Sequence, residues 1–194
     1  MSVERCAWVG NDPLMIAYHD TEWGVPVHDD RKLFEYLVLD AFQAGLSWRI
    51  ILNKRAGFDA AFEHFEPAKV AQFGPPDIDR LMSDTSIVRN RRKIEATIAN
   101  ALLVIKIQKD YGSLGAFLWG PSNGQAISCG YETSNLVPTT TKASDEMSKR
   151  LKDYGFKFFG PTVCYAFMQG AGFVNDHLRS CFRYSELAEA NRRR

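Results

Sequence analysis

The sequence predicts an all-α protein. Apolar residues recur at helical spacing through most of the chain, no segment alternates convincingly at strand spacing, and no repeat or low-complexity tract interrupts the pattern. With 194 residues, 45% of them hydrophobic, the chain can bury a proper core. Residues 1–184 are read as a single compact domain, with the two terminal segments forming one lobe and the middle helices the other. Residues 185–194, ending in Arg192, Arg193 and Arg194, are read as a flexible tail.

The first long helix is expected to start at a cap on Asp29 or Asp30 and to run to about Leu46. Leu33, Phe34, Leu37, Val38, Leu39, Ala41, Phe42 and Leu46 cover most of its circumference, so it should be central and buried. At about 100° per residue, Tyr36, Asp40 and Gln43 fall on one narrow strip of that apolar cylinder. A polar strip on a buried helix requires a partner. Further along, PPDIDRLMSD suits a short helix with prolines in its first turn. A longer helix follows within TSIVRNRRKIEATIANALLVIKIQKDYG, with Ile94, Ile98, Ala101, Leu102 and Ile105 expected to face inward and a tight polar hairpin before it. GPSNGQ is a turn-rich break, and the region through VPTTTKASDEM reads as an irregular crossing before Ser144 or Asp145 caps a helix to about Tyr154. A final apolar helix is expected from Pro161 to Gly172, with Val163, Phe167 and Met168 in the core and Gly170 and Gly172 at an end or a close approach.

The formal net charge is only +1, so nucleic-acid binding would have to come from local clusters of basic residues. Arg89, Arg91, Arg92 and Lys93 form one, and Lys149, Arg150, Lys152 and Lys157 a looser one, although solvated helix surface commonly explains such groups. Cys6, Cys129, Cys164 and Cys181 are widely separated, which suits a reducing compartment. The N-terminus carries no apolar signal region and no long apolar run occurs, so a cytoplasmic location is expected.

Three of the four tryptophans crowd into the stretch from Cys6 to Trp48, among residues suited to metal ligation and base recognition. An aromatic core with incidental polar groups is the competing reading. His177 and Cys181 are four apart, so on a helix they would point together, and Cys6 with His19 can supply a second ligand pair. Such a Cys2His2 set has no open position and would clip the chain ends together as a structural zinc site. His28 and His64 sit in expected loops without partners and are left out. Trp8, Tyr18, Trp23 and Trp48 can wall a pocket that stacks a planar group, with Asp40 reading or balancing a charged ring. Asp40 could equally serve a buried salt bridge or cap neighbouring backbone. The hairpin ending in Arg89-Asn90-Arg91-Arg92-Lys93 suits contact with DNA phosphates through helix-start amides and flanking cations.

These residues carry a resemblance. RCAWV, DPLMIAYHDTEWGVPVHDDRKLFEYLVLD, AFQAGLSWRIILNKR and VPTTTKASDEMSKRLKDYGFKFFGPTVCYAFMQGAGFVNDH together resemble the bacterial 3-methyladenine DNA glycosylase I family, within the helix-hairpin-helix glycosylase superfamily. The match leaves only about the last dozen residues unplaced. It implies a helix-hairpin-helix fold, a structural zinc on Cys6, His19, His177 and Cys181, and hydrolysis of the N-glycosidic bond of 3-methyladenine in duplex DNA after base flipping. Asp40, Tyr18 and Trp48 would then recognise the base, Trp8, Met15, Trp23 and Gln43 would complete the pocket, and Arg89 to Lys93 would hold the DNA. No lysine in the matching pocket segments suggests a Schiff-base lyase, so a monofunctional, monomeric enzyme is expected.

Three departures stand out. Asp40 replaces a glutamate common on the central helix, shortening reach by roughly 1.5 Å. Met15 replaces a tyrosine common near the pocket, and Ser86 and Arg92 replace glycines often found in the hairpin. Two alternatives follow: a non-catalytic DNA-binding protein that uses the hairpin, or a glycosylase with altered lesion preference. A catalytic-zinc hydrolase is disfavoured, because four protein ligands leave no position for water.

Overall fold

The computed structural model describes residues 3–192. After a 3-10 turn at Ala7–Val9, the chain forms α1 (Pro13–Thr21), α2 (Asp30–Gln43), α3 (Trp48–Asn53), α4 (Arg55–Ala61), α5 (Pro67–Val70), α6 (Pro75–Ser83) and α7 (Arg91–Tyr111). Then come α8 (Leu114–Trp119), strand β1 (Ile127–Ser128), α9 (Lys142–Tyr154), α10 (Pro161–Gly170), strand β2 (Val174–Asn175) and α11 (Phe182–Arg192). The fold is therefore mostly helical, with one short parallel ladder that the sequence pattern did not show. Two residues per strand are too few to produce a period.

Helix α2 is the axis of the molecule. The Asp29 carboxylate caps it by accepting from the Lys32 amide at 2.8 Å, and every residue from Tyr36 to Phe42 is buried. It ends at Gln43, three residues before the expected Leu46, where the chain turns through Gly45 at φ +86°. Helices α3, α7, α8 and α10 pack around it.

Helix α7 buries Ile94, Thr97, Ala101, Val104 and Ile107, whereas Leu102 and Ile105, expected to face inward, are exposed. The apolar set on this helix is wide enough to admit two stripes, and packing against α5 selects the one that starts at Ile94. Helix α9 starts earlier than expected. Thr141 is its cap, forming a reciprocal capping box with Ser144, which lies in the first turn. In α10, Phe167 and Met168 are buried while Val163 is half-buried, and the helix is not the last. The segment read as a tail continues as α11 to Arg192 with Leu187 buried; Arg193 and Arg194 lie outside the described residues. His28 is in a loop, as expected, whereas His64 lies in a 3-10 turn at Glu63–Phe65, and both have partners: His28 packs on Trp119 at 4.7 Å and His64 Nδ1 meets Asp59 at 2.7 Å.

The strand ladder pairs Ile127 with Val174, so the crossing from 129 to 141 lies beside the segment leading into His177. Gly172 allows a second close approach, of the turn after α10 to Val25 and Pro26. Its φ is +73°, and a Cβ there would lie 2.2 Å from the Val25 carbonyl carbon. The Phe182 amide donates to the Glu4 carbonyl at 3.1 Å, which brings the chain ends together. No described helix is long and apolar enough to cross a membrane.

Candidate active site and metal-ligand cluster

Cys6, His19, His177 and Cys181 are buried, and their ligand atoms lie within 4.8 Å of one another. Cys181 Sγ is 3.5 Å from both His19 Nε2 and His177 Nδ1, and Cys6 Sγ is 3.8 Å from His177 Nδ1. Tetrahedral zinc–sulfur and zinc–nitrogen bonds would separate neighbouring ligand atoms by roughly 3.3–3.8 Å, so the donor set fits such an ion. The remaining ring nitrogens face outward and are occupied. His19 Nδ1 meets Asp20 at 2.7 Å, with Asp20 gripped by Arg5, and His177 Nε2 donates to the Trp23 carbonyl at 2.9 Å. This arrangement directs the other nitrogen of each ring to the centre of the cluster. Between the sulfurs, the Cys6 thiol, together with His177 and His19, holds Cys181 well down as a thiolate, while Cys181 and burial push Cys6 up.

His177 and Cys181 are not on a helix. They flank a turn between β2 and α11, and the convergence expected from a helical spacing comes instead from that turn folding back toward α1.

Beside the cluster lies a cavity of about 400 Å³. Trp8, Tyr18, Trp23, Asp40, Gln43 and Trp48 line it, which brings together six residues proposed from the sequence. Trp8 and Trp23 meet edge to face at 5.0 Å, and Tyr18 tilts against Trp48 at 5.1 Å. Met15, one turn before Tyr18 on α1, is buried in the core and does not line the cavity. Tyr36, from the polar strip, also points elsewhere. Its hydroxyl donates to Glu22, which Arg55 grips through both nitrogens at 2.8 and 2.7 Å.

Asp40 is 3% exposed, and burial pushes its carboxyl pKa well above the ordinary carboxylate value. Its Oδ2 and the Trp48 Nε1 are buried without a hydrogen-bond partner among the described residues. Buried polar atoms in native proteins are nearly always paired, so an unpaired acceptor and donor on one cavity wall mark where a ligand's complements belong. Burial likewise raises the Tyr18 pKa, keeping its hydroxyl a neutral donor.

Sequence reasoning missed Ala166 and Gln169 on α10, Ser134 and Val137 on the crossing, and Asp176 and Leu178 after β2. Gln169 carried the same signal as Asp40, a polar residue on an otherwise apolar helix. Ser134 and Val137 had none, since an irregular crossing places its side chains only through the strand ladder.

The basic cluster divides. Arg89, Arg91 and Arg92 are exposed, with Arg91 paired to Asp79 at 2.8 Å. Asn90 caps α7 with its side chain, accepting from the Lys93 amide. Lys93 is buried, and its ammonium donates to the Phe42 and Ala44 carbonyls at 3.0 and 2.9 Å. It therefore ties α7 to the end of α2 and does not face solvent, as the unpaired carbonyls at a helix C-terminus attract a cation. In the connection before α7, the Ser86 amide and hydroxyl donate to Asp84 at 2.8 and 2.6 Å. Neither Ser86 nor Arg92 has a left-handed φ, and Gly57 gives Ser86 room across the interface, so both residues are accommodated where glycines were expected.

The sequence model of the methyladenine glycosylase family matches residues 8–184. The chain is 47% identical over 182 residues to the DNA-3-methyladenine glycosylase 1 of Escherichia coli strain K12, covering 94% of this chain and 97% of that one. Its fold is similar to a structure addressing 3-methyladenine recognition by 3-methyladenine DNA glycosylase I from Staphylococcus aureus, with a TM-score of 0.89, 41% identity, and coverage of 94% and 97%. A variant 3-methyladenine DNA glycosylase I in complex with 3-methyladenine is similar at a TM-score of 0.88 and 42% identity, with coverage of 92% and 96%. The chain belongs to the methyladenine glycosylase family.

Proposed function

We propose that this protein is a base-excision repair glycosylase that hydrolyses the N-glycosidic bond of 3-methyladenine in duplex DNA, acting as a monofunctional, monomeric enzyme in the cytoplasm. The observation that carries this reading is the aromatic-walled cavity holding the unpartnered Asp40 carboxylate, in a chain of this family.

Alkylation at N3 makes the base cationic and a good leaving group. The protein's work is therefore to extrude the nucleotide, hold the base and admit water to C1′. Trp8, Trp23 and Trp48 supply stacking faces, each worth roughly 1–3 kcal/mol, but stacking accepts every base. Discrimination falls to Asp40, which accepts from the base amino edge and favours a positive ring, with Tyr18 and Gln43 as further polar contacts. The C1′–N9 bond breaks with its electron pair passing to the cationic base, which leaves neutral. Water adds to C1′ and gives up its proton.

The turn between α6 and α7 is the hairpin of a helix-hairpin-helix element in this reading. Arg89 and Arg92 meet DNA phosphates, together with amides at the start of α7. Lys93 sets the distance between that element and the pocket. Zinc on Cys6, His19, His177 and Cys181 supplies structural cross-linking of the chain ends and leaves no coordination position for substrate.

The test is incubation of purified protein with methylated duplex DNA and measurement of released bases. Release of 3-methyladenine is expected, and its absence with folded protein overturns the reading.

A further inference from the structure

Two carboxylates line the cavity, and the reading above uses only one of them. The other, Asp176, follows β2 directly and is 2% exposed. Its Oδ2 is engaged twice: the Tyr165 hydroxyl donates to it, and the Gln169 amide donates to it at 2.8 Å. Its Oδ1 is buried and has no hydrogen-bond partner among the described residues. Two donors on one oxygen fix the plane of the carboxylate and leave the other oxygen as a positioned acceptor. The half-buried Cys129 thiol responds to the same group, with burial first and Asp176 second pushing its pKa up to about 12, so it remains a neutral thiol.

The lining contains no arginine, lysine or histidine, so neither carboxylate finds its countercharge in the cavity wall. A buried carboxylate without a cation is costly, so burial by itself favours the protonated form of Asp40, and a cation entering beside the two carboxyl groups supplies the missing countercharge, which makes that space selective for positive charge.

Resting on the proposed glycosylase function, we infer that Asp176 is a second substrate-contacting carboxylate whose Oδ1 faces the positive charge of the alkylated base, so that Asp40 and Asp176 together select a cationic base over a neutral one. Tyr165 is a positioning residue that aims Asp176 without lining the cavity. The contact forms when the base enters and weakens as the base leaves neutral, so its loss should weaken substrate binding more than it slows cleavage.

The experiment is steady-state excision of 3-methyladenine from a methylated duplex by wild type, Asp176→Asn and Tyr165→Phe, alongside binding to a duplex with a tetrahydrofuran abasic site, which presents no base. For Asp176→Asn, KM should rise about tenfold or more with kcat changed less than about threefold, and abasic-duplex affinity and thermal midpoint should be retained. Tyr165→Phe should raise KM about threefold or more by releasing the carboxylate, and this variant decides the matter if Asp176→Asn does not fold. An unchanged KM in the folded variants, a fall in kcat alone, or a parallel loss of abasic-duplex binding overturns the inference. Base release by wild type separates this failure from failure of the glycosylase reading. No release by wild type overturns both.

Discussion

Trp23 and His177 are joined twice: the imidazole Nε2 donates to the Trp23 carbonyl at 2.9 Å, and the two rings meet edge to face with centroids 4.6 Å apart. Trp23 lines the cavity, and His177 belongs to the four-residue cluster, so a pocket wall rests directly on the proposed metal site.

Removing the cation by chelation, or a ligand by Cys181→Ala, should therefore disturb the pocket as well as the fold. Loss of the cross-link should cost about 3 kcal/mol or more, seen as a fall of roughly 6–12 °C in thermal midpoint, with altered tryptophan fluorescence. One zinc per chain is expected by elemental analysis, and full thermal stability in metal-free protein contradicts a structural role.

Asp40→Asn should separate function from stability. Excision should fall by roughly 10- to 100-fold through loss of a charged contact. Stability should move the other way, because burial raises the Asp40 pKa above its ordinary 3.8. Between those values the folded protein keeps a proton that the unfolded chain has lost, so wild-type stability falls as pH rises through the window. The variant's advantage in thermal midpoint should thus grow as pH rises above about 4.

Glu22 predicts the opposite slope at low pH. Burial alone would push its carboxyl up, but the Arg55 hydrogen bonds and charge, with Lys32, outweigh burial and bring it to about 2 from 4.5. The stabilisation is complete above the unfolded value of 4.5 and is lost as pH falls through about 2. Acid denaturation of Glu22→Gln should be shallower across that interval, and identical slopes would remove Glu22 as a contributor.

Lys93 and its neighbouring arginines should behave differently when replaced. Lys93→Met should cost about 2 kcal/mol or more by leaving two carbonyls unmet, as denaturant titration would show. Arg89→Ala and Arg92→Ala should leave stability unchanged, weaken duplex binding, and each reduce the slope of log affinity against log salt by about 1. Equal salt slopes in all variants would take the hairpin away from the DNA.

Much of the pocket was legible because it is built on one buried helix and its approach. Asp40 and Gln43 betrayed themselves as polar positions on a cylinder that is otherwise apolar, and the aromatic residues came within one short stretch. Met15 and Lys93 were misplaced for a common reason. Residue type and proximity in sequence suggest a role, but the direction of a side chain depends on which neighbour packs against its helix, and Lys93 faces the end of α2. Asp176 gives no signal in the sequence, because it lies on no helix and joins the cavity only through the turn after β2.

The sequence by itself determined the helical class, the central buried helix and the aromatic character of the pocket, which follow from periodicity and side-chain chemistry, and it named the four Cys and His residues that the structure gathers into one cluster. Tertiary structure decided which stripe of α7 is buried, that α11 packs as a helix, and that Asp176 shares a cavity with Asp40. Those outcomes depend on contacts between segments distant in sequence, tens of residues for α5 and α7 and more than a hundred for Asp40 and Asp176, and local propensity carries no information about them.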